Sequence, residues 1–403
     1  MHAEWCVLLF LVYFSLVDSK PKNDVIDVWK EEVGEEGTVF NRLTDGKSSS
    51  SRYPKVLNFF PVPVEEECSS KDGRRKGTCM NTYECKIKGG KSYGFCALGF
   101  GVCCVFTATC GEEIRNNITY FVNPHFPDLD TGVISCPLTV HKIDEEIAQI
   151  RLEFIHFSLG QPNRKTGECQ EDIFLMKAEN ASTLKICGYN SGQHVYYDVE
   201  NVDEPIRISM NLSKKAVSRL WEIKIVQVPF SQRAPVGCLQ YYQGKTGVIQ
   251  TMNFADNGRH LTNQDYEVCI RQEDGVCNIV YEPCHENAFR ISPNNGVDHS
   301  TDGDIGSGFG SISEGREMET CDDKITLPCD SDDLIMMGNQ GVGYCKMVHC
   351  GNSLCPNGET PCRIESSATP FVIGVYFGPS AREESPEDNL GMCLTYEQLP
   401  CSM

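Results

Sequence analysis

Arg151-Leu152-Glu153-Phe154-Ile155-His156-Phe157 and Trp221-Glu222-Ile223-Lys224-Ile225-Val226-Gln227-Val228 alternate apolar and polar side chains with a period of two. That is the pattern of strands with one face buried and the other wet. Turn residues lie between strand candidates: Asn123-Pro124, Gln161-Pro162-Asn163 and Asn190-Ser191-Gly192. The span from Cys110 to about residue 230 therefore reads as all-β. Much later, Phe371-Val372-Ile373-Gly374-Val375-Tyr376-Phe377 reads as another core strand.

Around these strands the chain has 403 residues, 40% of them apolar and 23% charged, with a formal net charge of −20. This excludes a collagen, a membrane bundle and a wholly disordered polymer, and the length suggests two or three domains. With 36 basic against 56 acidic residues, the balance argues against a nucleic-acid binder and against attachment to anionic lipid.

The N-terminal run Trp5 to Val17 is too short to span a bilayer but suits a signal-peptide core, and residues 1–19 read as a signal cut before Lys20. No later segment has 18 consecutive apolar residues, so the expectation is a secreted, extracellular chain with no membrane span. Of 23 cysteines, removing Cys6 leaves an even number. Zinc sites would bring C-x2-C pairs, of which the sequence has none, so disulfides formed in an oxidising compartment are the better account. Sequons at Asn117, Asn180 and Asn211 fit a glycoprotein. Residues 20–67 hold Glu31-Glu32, Glu35-Glu36 and Glu65-Glu66-Glu67, and read as an acidic, mostly disordered leader.

The remaining cysteines fall into even groups: six from Cys68 to Cys104, four from Cys110 to Cys187 and twelve from Cys238 to Cys401. The first group is spaced C-x10-C-x5-C-x10-C-x6-C-C. Adjacent Cys103 and Cys104 have Cα atoms about 3.8 Å apart, too close to bond each other, so each is expected to bond elsewhere. The pattern resembles the clip domain of secreted arthropod proteins, which implies the pairs Cys68–Cys103, Cys79–Cys96 and Cys85–Cys104.

Cys110-Gly111, Asn123-Pro124-His125-Phe126-Pro127, Cys136, the strand Leu152 to Leu159, Cys169-x-x-Asp172 and Cys187-Gly188 together resemble a CUB domain, a secreted β-sandwich. The resemblance implies Cys110–Cys136 and Cys169–Cys187, within a domain at 110–230. Residues 238–403 look like a second, divergent CUB-like domain with extra disulfides. Cys350-Gly351 repeats Cys187-Gly188, and Cys321-Asp322-Asp323 stands upstream as Cys169-Gln170-Glu171-Asp172 does. This likeness implies Cys238–Cys269 and Cys321–Cys350, and leaves the other C-terminal pairings open. Between Pro293 and Gly315 a Gly/Ser/Asp-rich stretch reads as a long loop. The expected fold is all-β: a clip-like knot at 68–104, then two CUB-like β-sandwiches, an order that resembles arthropod secreted CUB-domain proteins.

Catalytic signatures are missing. No Gly-Asp-Ser-Gly-Gly or Ala-x-His-Cys occurs, and His285-Glu286-Asn287-Ala288-Phe289 lacks the second histidine of a zinc protease. No catalytic residue is expected. Many CUB domains bind calcium through a Glu before the third cysteine, an Asp three residues after it and an Asp in a later loop. Asp172 matches one of these positions, but the others hold Gly160 and Met210-Asn211-Leu212-Ser213. A hard cation wants several carboxylates, so no metal and no cofactor are expected, and Asp172 reads as an Asx turn or strand-end partner. Asp298, Asp302 and Asp304 fail as an EF-hand, because its twelfth position is Phe309. Arg74-Arg75-Lys76 is a candidate processing site, or an exposed loop flanked by Gly73 and Gly77.

The resulting reading is a non-catalytic extracellular interaction protein that binds protein or glycan partners. Two alternatives are a regulatory cofactor of a clip-protease cascade in immunity or haemolymph, and a matrix or cuticle component.

Overall fold

The computed structural model describes residues 67–215, 217–255, 258–291, 321–328, 347–355, 361–379 and 385–401. The segment 1–19 expected to be a signal, the expected leader up to Glu66, the stretch 293–315, and Cys6, Cys329 and Cys345 lie outside the described residues.

The knot comprises β1 (Glu67–Ser69), β2 (Lys76–Met80), the helix α1 (Thr82–Ile87), β3 (Lys91–Cys96) and β4 (Gly101–Ala108). Cys68 bonds Cys103, Cys79 bonds Cys96 and Cys85 bonds Cys104, with Cα–Cα distances of 5.6, 5.9 and 5.7 Å. Neighbouring residues on β4 thus point to opposite faces, each sulfur holding a different segment. The helix was not foreseen in the sequence. Its N-cap is Asn81, whose side-chain oxygen accepts from the Tyr83 N–H at 2.8 Å. Its one buried residue is Cys85, so the bond to Cys104 decides which face turns inward. Gly90 is required by space, since a Cβ there would lie 2.2 Å from Cys104 Sγ.

The sequence places a boundary between Cys104 and Cys110, but the structure runs one strand most of the way across it. β4 continues to Ala108 and pairs in parallel with β6 (Ile118–Val122), Phe106 opposite Thr119. Nothing between Cys104 and Ala108 breaks a strand, and Val105 and Phe106 are buried. The knot therefore belongs to the same eight-stranded sheet as one face of the first sandwich, in the order β1-β2-β4-β6-β13-β8-β11, with β3 beside β4. Here β8 is Ile147–Ser158, β11 is His194–Asp198 and β13 is Leu220–Pro229. Arg75 reinforces the join: its guanidinium lies 2.7 Å from Glu222 on β13 and stacks 4.9 Å from the Tyr120 ring.

The opposing sheet runs β10-β9-β12-β7-β5, where β5 is Glu113–Ile114, β7 Ser135–Val140, β9 Ile173–Lys177, β10 Leu184–Ile186 and β12 Ile206–Asn211. The inward residues of β8 and β9 build an aromatic centre. Phe154, Phe157 and Phe174 meet at 4.8–6.0 Å between ring centroids, and all three are buried. Burying each ring stabilises the sandwich by about 1.5–3 kcal/mol.

The second sandwich repeats the first, strand for strand. Its sheets run β15-β23-β17-β21 and β14-β16-β22-β19-β20. The strands are β14 (Cys238–Tyr242), β15 (Thr246–Gln250), β16 (Gln264–Ile270), β17 (Val276–Pro283), β18 (Phe289–Arg290), β19 (Lys324–Thr326), β20 (Val348–His349), β21 (Ile364–Ser366), β22 (Phe371–Phe377) and β23 (Gly391–Pro400). β14 lies parallel to β16 as β5 lies parallel to β7, and β18 is the addition, pairing with β23. The disulfides repeat too. Cys110–Cys136 corresponds to Cys238–Cys269, and Cys169–Cys187 to Cys321–Cys350. Cys277–Cys401 and Cys284–Cys393 tie β17 to β23, and Cys355–Cys362 closes a short loop.

A shared sheet predicts shared opening. Glu222→Gln leaves Arg75 half-paired, at a cost of about 1–3 kcal/mol. Hydrogen exchange should then show the amides of Thr78 in the knot and of Tyr120 in the sandwich losing protection together. A change confined to one of them would mean that the knot opens independently.

Candidate interaction site at the junction of the sandwiches

Asp172, the sequence's candidate metal ligand, sits just before β9 and is 1% exposed. Its carboxylate is saturated by donors. Arg219 gives Nε at 2.6 Å and Nη2 at 2.9 Å, Gly160 N–H lies at 2.8 Å and Ser213 N–H at 2.9 Å. Gly160 and Ser213 occupy the places where the calcium-binding pattern wants oxygen ligands, and both supply N–H groups instead. There is no room for a side chain at residue 160, because a Cβ would stand 2.9 Å from Asp172 Oδ2. Burial opposes ionisation of Asp172, but the hydrogen bonds from Arg219, Ser213 and Gly160 outweigh it and hold the carboxyl below its ordinary range. The cation that neutralises this carboxylate is a guanidinium, in a bidentate pair that both sequence neighbourhoods left invisible.

The equivalent carboxylate in the second sandwich is Asp323, which accepts from Gly378 N–H at 2.7 Å as Asp172 accepts from Ser213. A histidine stands beside it, with buried Arg259 Nη1 2.7 Å from that ring's Nε2. His260 Nε2 lies 3.4 Å from Asp323 and 3.2 Å from Asn389 Oδ1, and the ring stacks on Phe377 at 4.0 Å. Burial and the neighbouring Arg259 push His260 down to about 3. Cys238, Glu267 and Cys269 also cluster, but the two sulfurs are bonded to each other and are not metal ligands.

Between the sandwiches lies a buried polar interlock. Asn253 is fully buried, with φ of +61°. Its Oδ1 accepts from Tyr189 N–H at 2.8 Å, its own N–H donates to Asn190 Oδ1 at 2.8 Å, and its Nδ2 donates to Gln161 Oε1 at 3.1 Å and to the Arg259 carbonyl at 2.9 Å. Gly188 permits this approach, because a Cβ there would fall on Asn253 Oδ1. Gln193 Nε2 donates to the Thr251 carbonyl at 3.2 Å, and Gln240 Nε2 donates to Gln193 Oε1 at 3.3 Å. His194 on β11 places Nε2 2.9 Å from the Tyr241 carbonyl on β14, edge-on to the Tyr242 ring at 4.8 Å. Burial, aided by Arg151, pushes His194 down to about 4, so the ring is neutral at physiological pH.

Two grooves flank this junction. The first, about 530 Å³, has Glu179, Asp198, Glu200 and Asp265 among its lining over apolar groups that include Leu184 and Leu239. The second, about 810 Å³, is lined among others by Arg151, Arg233, Arg271, Tyr196, Tyr241 and Gln227. Tyr196 contributes to both. The sequons distribute around them: Asn180 lines the first groove at an exposed turn, half-buried Asn117 lines the second, and exposed Asn211 ends β12. The basic cluster is mostly engaged. Arg75 holds Glu222, the Lys76 N–H donates to Tyr120 Oη at 2.7 Å, and Arg74 stays in an exposed turn with no side-chain ion pair among the described residues. A cut after Arg75 or Lys76 would require the start of β2 to leave its sheet.

Asp172→Asn removes the charge facing buried Arg219 and should lower stability by about 3–5 kcal/mol. Millimolar calcium should leave the melting temperature of the unmodified chain where it was, and a calcium-dependent rise of several degrees, lost in Asp172→Asn, would contradict the geometry. His194 and His260 titrate below their ordinary 6.5 in the folded chain, so the unfolded chain takes up their protons first. Stability should therefore be complete above about pH 6.5 and fall as the pH drops toward 4, by about 1.4 kcal/mol per pH unit for each histidine. His194→Gln should halve that slope in denaturant titrations at stepped pH, and an unchanged slope would show that His194 is accessible to protons.

Residues 235–399 match a family model described as the animal CUB domain. No curated protein matches the chain. Among solved structures, the CUB1-EGF-CUB2 domains of rat MASP-1 align over 72% of this chain and 99% of theirs, at 12% identity and a TM-score of 0.24. The corresponding human MASP-1/3 domains align over 70% and 100%, at 13% identity and a TM-score of 0.24. The extracellular region of zebrafish Gpr126/Adgrg6 aligns over 72% of this chain and 35% of its own, at 12% identity and a TM-score of 0.24. Together with its two packed sheets, the family match makes the second sandwich, residues 235–399, a CUB domain.

Proposed function

We propose that this chain is a secreted, non-catalytic interaction protein that binds extracellular protein or glycan partners in the grooves where its two sandwiches meet. The observation that carries this reading is the interlock at Asn253. It uses buried amide groups to hold two sandwiches in one register, and so gives the grooves beside it a lasting shape. A pre-formed concave surface loses less entropy on binding than one assembled by the ligand.

The CUB domain is a non-catalytic interaction fold, and the ten disulfides among the described residues fit an oxidising, extracellular setting. Among the described residues no helix is long and apolar enough to cross a membrane. The second groove has the composition that suits polar ligands. Aromatic Tyr196 and Tyr241 stand beside guanidinium groups that are already charge-balanced, Arg151 by Glu153 and Arg271 by Glu273. Planar donors of this kind next to ring faces favour sugars and polar protein loops over free anions.

The test is an array of extracellular proteins and of glycans probed with the full glycosylated chain and with Tyr241→Ala/Arg271→Ala. Retained ligands should bind the double variant at least about tenfold more weakly, a loss of about 1.4 kcal/mol, with its melting temperature unchanged. Equal binding by both proteins would move the site elsewhere, and binding to nothing on either array would refute the reading.

A further inference from the structure

The two most exposed large apolar side chains among the described residues, Leu98 at 99% and Phe95 at 82%, stand at the tip of the knot. Apolar surface left in water at this density marks a contact site. The backbone beneath it is strained as well. Ala97, Leu98 and Gly99 follow one another with φ of +48°, +56° and +92°. Two of the three carry a Cβ, which the left-handed region disfavours. The Cys79–Cys96 bond anchors the turn at its start and β4 takes over at Gly101, so the covalent frame holds the leucine outward.

The knot is also the cationic part of an acidic protein. Residues 67–104 carry seven basic side chains against three acidic ones, whereas the whole chain has a net charge of −20. Lys71, Lys86, Lys88 and Lys91 are all exposed, and Lys71 packs against Gly94 on the strand that delivers Phe95. The matching receptor is an apolar cleft with a carboxylate rim, and the first junction groove is such a cleft. It offers about 530 Å³, apolar groups including Leu184, Leu239 and Val236, and the rim Glu179, Asp198, Glu200 and Asp265, with Lys185 its one basic residue and Glu200 paired to Arg233. Val236 there is itself 63% exposed.

We propose that the Phe95–Leu98 tip of one molecule docks in the acidic junction groove of a second copy of this chain. The contact is heterologous, tip to groove, so it propagates head to tail and does not close as a two-fold dimer. It is small, and association is correspondingly weak and concentration-dependent. An anionic membrane is the poorer occupant, because the acidic bulk of the chain repels it. The proposal rests on the groove being a binding site, as argued above, and names what fills it.

Sedimentation equilibrium of the full glycosylated chain, and of Asn180→Gln to remove the glycan acceptor on the groove lining, tests it in 0.15 M salt. Weight-average mass should rise with concentration in at least one of the two. Leu98→Asp, which removes the tip, and Glu179→Lys/Asp265→Lys, which reverses the rim, should each stay monomeric alone. Mixed in equal amounts they should form a heterodimer that stops there, because each variant keeps one intact half. Monomers throughout up to about 100 µM would overturn the proposal, as would no recovery on mixing. Binding of the monomer to phosphatidylserine vesicles that is lost in Leu98→Asp would overturn it in favour of a lipid. If the chain stays monomeric yet loses array ligands in the groove variants, the interaction reading survives and only the second copy as occupant falls.

Discussion

Asn253 ties the two sandwiches together beside Met252 and Leu261, which bury in the first core, and what the molecule can present to a partner depends on that tie. A buried amide must satisfy its donors and acceptor or cost about 1–3 kcal/mol for each group left empty. At Asn253 they are met from both sides: Tyr189, Asn190 and Gln161 belong to the first sandwich, Arg259 to the second. Sliding or twisting one sandwich on the other would break several of these bonds at once in a site that water does not reach. Apolar packing would permit more slip, because it has no direction. The polar interlock therefore fixes orientation where greasy contact would only fix proximity.

The carboxylate centres show how a repeated architecture can keep its geometry while changing its chemistry. Asp172 and Asp323 occupy equivalent strand ends and accept equivalent N–H bonds, from Ser213 and Gly378. The first is held by a bidentate guanidinium, and the second lies beside a histidine whose burial and neighbouring Arg259 keep it neutral. The first is indifferent to pH in the physiological range. The second, like His194 at the junction, makes the fold progressively less favourable in acid.

Some of this was legible in the sequence and some was not, for physical reasons. Strands such as Arg151–Phe157 and Phe371–Phe377 announce themselves because a half-buried strand must alternate. The repeat was visible in Cys350-Gly351 echoing Cys187-Gly188, since covalent staples leave fixed local marks. The helix at Thr82–Ile87 was hidden because six residues held by one disulfide need no amphipathic period. Arg219 lies 47 residues from Asp172 and could not be paired with it by spacing. Asn253 sits in Thr251-Met252-Asn253-Phe254, where nothing local separates a structural amide from a solvated one. The continuity of the knot with the first sandwich was obscured by the even cysteine count, which suggests a free-standing module although β4 runs past its end.

Pulsed electron paramagnetic resonance between nitroxide-bearing unnatural side chains at exposed Lys177 and Glu397, one on each sandwich, measures the central claim directly. A single narrow distance distribution, broadened by Asn253→Ala, is the result expected of two sandwiches locked by a buried amide. A distribution already broad in the unmodified chain would contradict it, because grooves between freely moving domains have no lasting shape to recognise anything.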